Sequence, residues 1–92
     1  MSNVVILHFL SLLKNILKAP DKKMLIKKFQ DEIWEHAQSN DVYERLSELA
    51  YDLDFYEPVP DLRKEDSSFF GDEQLKNEIE ETMLFLSSAL KK

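Results

Sequence analysis

Apolar positions recur along this chain at the three- and four-residue spacing of a helix, and no stretch shows the two-residue alternation of a strand. At 100° per residue, Val5, Ile6, Phe9, Leu10, Leu12, Leu13, Ile16 and Leu17 cover a wide face of the segment from Asn3 to Lys18, and His8, Ser11, Asn15 and Lys18 form its narrow wet side. So broad an apolar face has to touch several neighbours, which predicts an interior-facing helix. Ala19-Pro20 ends it, because proline disfavours helical geometry in the residue before it. Asp21 then caps a second helix expected to run to about Gln38, with Ile26, Phe29, Ile33 and Ala37 inward and Lys28, Asp31, Glu32 and Glu35 outward. Ser39-Asn40-Asp41 supplies a break and the next cap, and a third helix follows to Phe55 or Tyr56, with Val42, Leu46, Leu49, Ala50 and Leu53 inward.

The stretch Glu57 to Gly71, EPVPDLRKEDSSFFG, holds two prolines and no sustained period, and reads as a long loop. Helix connections in bundles usually take about 2 to 8 residues, so a longer one in a small domain is functional or mobile. Asp72 is expected to cap the last helix, in which Leu75, Ile79, Met83, Leu86 and Leu90 make a regular stripe. The fold this predicts is all-α: an antiparallel four-helix bundle with a long loop between the third and fourth helices, one domain over residues 1–92.

Composition narrows the chemistry. There is no cysteine, which excludes disulfides and zinc-thiolate sites, and Gly71 is the single glycine. Phosphate-cradling and nucleophile-elbow motifs, each of which needs several glycines, are therefore absent. The apolar start, Val4 to Leu13, is broken by His8 and Ser11 and is too short for a membrane span, which takes about 20 residues. Without the basic stretch or small-residue cleavage pattern of a secretory signal, the expectation is a cytoplasmic protein with no membrane partner.

The net charge of −6 is unevenly spread. Residues 1–28 carry six lysines against Asp21 alone, a charge of plus 5, whereas residues 29–90 carry 17 acids against Arg45, Arg63, Lys64 and Lys76, a charge of minus 13. A free nucleic-acid duplex would be repelled by the larger part, so the expected partner is a cationic protein surface, not nucleic acid. The lysines between Lys18 and Lys28 read as a solvated helix junction.

Catalytic candidates are few. His8 and His36 lie on different helices, and Glu32 with His36 makes only a common helical carboxylate–imidazole pair. Asp52-Leu53-Asp54 resembles the start of a calcium loop, but Tyr56 stands where a third ligand belongs and no glycine follows. Glu80 and Glu81 are neighbours that diverge by 100° and read as a solvated face. No enzyme activity, metal or cofactor is expected.

The third helix is different. Asp41, Glu44, Glu48 and Asp52 fall within a narrow arc, with successive Cβ atoms about 5–6 Å apart. Like charges at that spacing destabilise an isolated helix, and only Arg45 offsets them. Consecutive RNA phosphates have a similar separation, so the row is a passable copy of a nucleic-acid backbone; the plain alternative is an acidic solvated face. Tyr51 and Phe55 project on the same side, and Tyr56, Phe69 and Phe70 flank or occupy the loop. Aromatic anchors ringed by charge suit a protein interface, which is the reading for Tyr51 and Tyr56. For Phe69 and Phe70 the expectation is that the loop folds back and buries them.

At Tyr51 to Phe70, YDLDFYEPVPDLRKEDSSFF, the chain resembles the self-protective colicin-like immunity proteins. The resemblance rests on an acidic helix end, the step Tyr56-Glu57-Pro58, an acid-rich loop with Asp61, Glu65 and Asp66, and a closing helix. It implies a small cytoplasmic inhibitor that forms a one-to-one heterodimer with a tRNA-cleaving toxin domain, entering its cationic cleft with acidic residues. Carried onto this sequence it points to Asp54, Glu57 and Asp61, with Asp52 beside them. Val59 departs from the family pattern, in which another acid often follows the proline, and this implies a different cognate toxin. Two other classes stand beside it: an acidic helical adaptor or regulatory subunit for a basic protein segment, and an enzyme of unrecognised type.

Overall fold

Ser2 accepts a hydrogen bond on its hydroxyl from the Val5 amide, 3.3 Å away, and so starts α1 (Asn3–Lys18). The computed structural model describes residues 2–35 and 40–90, so His36, Ala37 and Gln38 of the expected second helix lie outside the described residues. Helix α1 stops before Pro20, where Lys22 Nζ donates to the carbonyls of Leu17 (3.2 Å) and Ala19 (2.7 Å). A cation there satisfies carbonyls that the helix end leaves unpaired. The Asp21 carboxylate accepts from the Lys23 amide at 3.2 Å, at the start of α2 (Lys23–Glu35). Asn40 caps α3 (Asp41–Asp52), its Oδ1 accepting from the Tyr43 amide at 2.8 Å. The chain then tightens into one 3₁₀ turn, Leu53–Phe55.

The expected irregular loop contains a helical turn, α4 (Pro60–Arg63). Proline suits its first position, since its fixed φ is helical and its missing N–H has no partner there. The two ends of the loop are tied together: the Glu57 amide donates to the Phe70 carbonyl at 2.8 Å, and the Phe70 amide to the Phe55 carbonyl at 3.0 Å. This single parallel bridge between Tyr56 and Phe70 makes the segment a closed Ω-type loop. Phe70 is buried and Phe69 half-buried, so the fold-back expectation holds fully for Phe70.

Asp72 does not cap the last helix, α5 (Asp72–Ala89): the cap position is Gly71, and no side chain bonds there. Asp72 is instead the first helical residue and its carboxylate faces the Tyr56 hydroxyl. Gly71 has a φ of −106°, which any residue adopts, and a Cβ there would displace only the end of the Arg63 side chain packed over it.

Five helices are present among the described residues, without a strand. Helix α1 packs on α2 and α5, and α3 packs on α2 and α5. Phe9 meets Phe29 edge to face with ring centres 6.0 Å apart, and His8 Nε2 lies 2.7 Å from Glu32 Oε1. Glu32 thus pairs across to α1. One core cluster results, including Phe9, Leu13, Ile16, Phe29, Ile33, Leu46, Leu75, Ile79 and Leu86. Each such side chain contributes about 1.5–3 kcal/mol by leaving water. Two buried polar residues, Gln30 and Thr82, lie outside the apolar stripes. Both are satisfied: Gln30 Nε2 donates to the Ala50 carbonyl (2.8 Å) and Thr82 Oγ1 to the Glu78 carbonyl (3.0 Å). No described helix is long and apolar enough to cross a membrane.

Candidate functional site

The outer face of α3 presents Glu44, Glu48, Tyr51 and Asp52 to solvent. Arg45, the one base within the acidic row, lies over the Phe85 ring of α5, 5.8 Å from the centroid. A guanidinium over an aromatic face gains cation–π attraction. None of Glu44, Glu48 and Asp52 has an ion-pair partner among the described residues. The carboxylates are therefore without a direct ion pair.

Between α3 and α5 lies a cleft of about 150 Å³ lined by Arg45, Glu48, Leu49, Asp52, Glu78, Glu81 and Thr82. The structure thus brings Glu78 and Glu81 beside Glu48 and Asp52. Sequence reasoning missed Glu78 and took Glu81 as part of a solvated face, because adjacency between helices is invisible along one of them. Burial pushes the Glu78 carboxyl above the usual range, the nearby Asp52 charge adds to this and Glu81 adds less, while a hydrogen bond from Gln74 opposes it. One Glu78 oxygen, Oε2, is enclosed without a hydrogen-bond partner. With four carboxyl groups against Arg45, the cleft suits a further cationic side chain; no group of three or more potential metal-binding side chains occurs among the described residues.

The remaining predicted residues divide sharply. Tyr51 is 65% exposed and meets the half-buried Phe55 edge-on at 5.9 Å, so this pair does face outward. Tyr56 does not. It is only 8% exposed, packed beside Phe70 with its hydroxyl committed to Asp72, so the expectation that it sits at an interface is corrected. The loop bridge that draws Phe70 back is the reason.

Glu57 is likewise turned inward: its side chain is 14% exposed, 3.7 Å from Lys23 Nζ, and Oε2 accepts from the Val59 amide at 3.2 Å. It ties the loop to the start of α2 and offers little to a partner, a second correction. Asp54 is exposed, but one carboxylate oxygen accepts from Gln30 Nε2 at 2.7 Å. Asp61, Glu65 and Asp66 are exposed on the Ω loop. Asp61 lies 3.8 Å from Lys64, and Asp66 accepts from the Ser68 amide at 2.8 Å, forming a local turn.

One further aromatic is exposed on α2. Trp34 is 51% exposed and lies one helical turn beyond Gln30, the residue by which α2 reaches Ala50 and Asp54. It stands off the apolar stripe of α2, so periodicity alone marked it as neither core nor site. Comparison of the chain with protein-family models, with curated proteins and with solved structures found no match.

Proposed function

We propose that this protein is an immunity-type inhibitor, built on an antiparallel four-helix bundle, that binds a tRNA-cleaving toxin domain and blocks its basic active site. The observation that carries the reading is the position of Arg45. With its guanidinium on Phe85, the row Glu44, Glu48 and Asp52 is left unpaired, and α5 adds Glu78 and Glu81 to it. Carboxylates at helical spacing without direct ion pairs cost stability, and a partner rich in Lys and Arg offsets that cost on binding.

A nuclease that grips RNA carries such a surface. Long-range attraction between it and the acidic face speeds encounter, which suits an antidote. Tyr51, Phe55 and Trp34 supply apolar area that excludes water around the ion pairs. The contact surface is centred on α3 and its cleft with α5, and Asp61 and Glu65 on the loop extend it.

The test is co-expression with the nuclease domain encoded beside this gene, followed by gel filtration. A complex of one-to-one ratio is expected; separate elution, or a neighbouring gene without a nuclease domain, overturns the reading. Glu48→Lys with Asp52→Lys should weaken the complex by about 2–5 kcal/mol, as reversed buried charge pairs at interfaces do. Asp31→Lys with Glu35→Lys, the same charge change on the exposed side of α2, should weaken it little.

A further inference from the structure

On the side of α3 that meets α2, a buried amide holds an exposed acid. Gln30 is 7% exposed, and Nε2 gives both of its protons to the end of α3, one to the Ala50 carbonyl at 2.8 Å and one to Asp54 Oδ1 at 2.7 Å. Water would hydrate an exposed carboxylate equally well, so the second bond does not serve to satisfy Asp54. Its effect is to fix the carboxylate in one place. The charge is also left without an ion pair: Lys27 and Lys23, three and seven residues before Gln30 and so on its side of α2, pair with Asp31 at 3.8 Å and with Glu57 at 3.7 Å. Asp54 Oδ2 has no bonding partner among the described residues.

An open aromatic ring stands next to this carboxylate. Tyr51 precedes Asp54 by three residues, the spacing of neighbours on one helical face, and is 65% exposed. Its ring meets the half-buried Phe55 ring at 5.9 Å, which steadies it from one side and leaves most of it in water. Among the described residues the only cation over an aromatic ring is Arg45 over Phe85, so the Tyr51 ring carries none. A fixed carboxylate beside an uncovered ring suits a guanidinium, which donates to the free oxygen while its plane stacks on the aromatic face. An ammonium matches the charge but lacks the plane. Because the Asp54 side chain is already held, binding loses less conformational freedom than it would with a mobile acid.

We propose that Asp54 and Tyr51 form a receptor for one arginine side chain of a partner protein, with Gln30 as the buried positioning residue that holds the carboxylate. The receptor is separate from the acidic cleft, since Asp52 faces α5 whereas the Gln30 bond draws Asp54 to α2. The partner that supplies the arginine is the cationic protein of the inhibitor reading, and to that extent the proposal rests on it. The receptor itself is testable without that partner.

The probe is a capped Gly-Arg-Gly peptide, titrated at constant ionic strength into the isotope-labelled chain and followed by NMR. The Gln30 side-chain amide is the reporter, because one of its protons is bonded to Asp54. Its signals and those of the Tyr51 ring should shift and saturate together, and capped Gly-Lys-Gly should bind at least about twofold more weakly. Asp54→Asn keeps an acceptor for Gln30 and should weaken binding by about tenfold, and Tyr51→Ala by about two- to fivefold. Gln30→Met, of similar length but without donors, should weaken it by about two- to tenfold in a chain whose circular dichroism is still helical. A purely structural Gln30 would lower stability and leave the affinity unchanged. Glu48→Gln with Asp52→Asn, in the cleft, should leave the peptide affinity as it is. No saturable shift in the wild type overturns the proposal, as does an Asp54→Asn chain that binds like the wild type; neither result touches the inhibitor reading, which is judged by the nuclease complex. A nuclease domain that fails to bind while the peptide saturates the site removes the inhibitor reading and leaves the arginine receptor standing.

Discussion

The Tyr56 hydroxyl donates a hydrogen bond to Asp72, joining the turn after α3 to the first residue of α5 across the whole intervening loop. With the Tyr56–Phe70 bridge it closes the Ω loop at its neck, so a segment with few apolar residues is held by its ends. Burial first, and then the hydrogen bond and charge of Asp72, push the Tyr56 pKa far above its ordinary value of about 10, with Arg63 opposing.

A folded-state pKa above the unfolded one means that the native state holds this proton more tightly. The stabilisation is complete below about pH 10 and is lost as pH rises from there towards the folded pKa, at up to about 1.4 kcal/mol per pH unit. Urea unfolding from about pH 9 to about pH 11.5 should show this loss in the wild type and a shallower one in Tyr56→Phe. At neutral pH that substitution should cost about 1.5–3 kcal/mol, the range for a hydrogen bond to a charged group.

Glu78 has the same sign at lower pH, because its raised carboxyl pKa makes ionisation costly in the folded state. Its contribution to stability is most favourable below the unfolded pKa and declines as pH rises through the folded one. Glu78→Gln should therefore raise the melting temperature at neutral pH and change it little in acid. Thermal unfolding at the two pH values checks this.

Gln30→Glu should be strongly destabilising. It replaces a donor to the Ala50 carbonyl and the Asp54 carboxylate by a second carboxylate in a buried position. A loss of about 2–4 kcal/mol at pH 7 is expected from the unpaired buried groups. The loss should shrink below about pH 4, where the new carboxyl is protonated and donates again. Denaturant unfolding at both pH values measures the difference.

For the proposed toxin complex, raising salt should slow association strongly and change dissociation less. Screening acts on long-range steering more than on desolvated ion pairs. Stopped-flow or surface-capture kinetics at low and high ionic strength would show this. An unchanged association rate would place the binding energy in Tyr51, Phe55 and Trp34.

The helices and their inner faces were legible in the sequence, because a helix's apolar stripe is set by residues three and four apart. Phe9, Phe29, Leu46 and Ile79 could be placed inside from spacing alone, as could the helix break before Pro20 and a cap within Ser39-Asn40-Asp41, which the structure assigns to Asn40. The acidic row and Tyr51 were legible for the same reason. Tertiary structure decided everything that depends on contacts between elements. It turned Arg45 to Phe85, brought Glu78 and Glu81 to Glu48 and Asp52, buried Gln30, and drew Tyr56 and Glu57 inward. A Tyr-Glu-Pro step has the same composition whether it meets a partner or its own chain. What selected the second is the return of Phe70 to the Phe55 carbonyl, a pairing between residues 15 apart that no local period encodes.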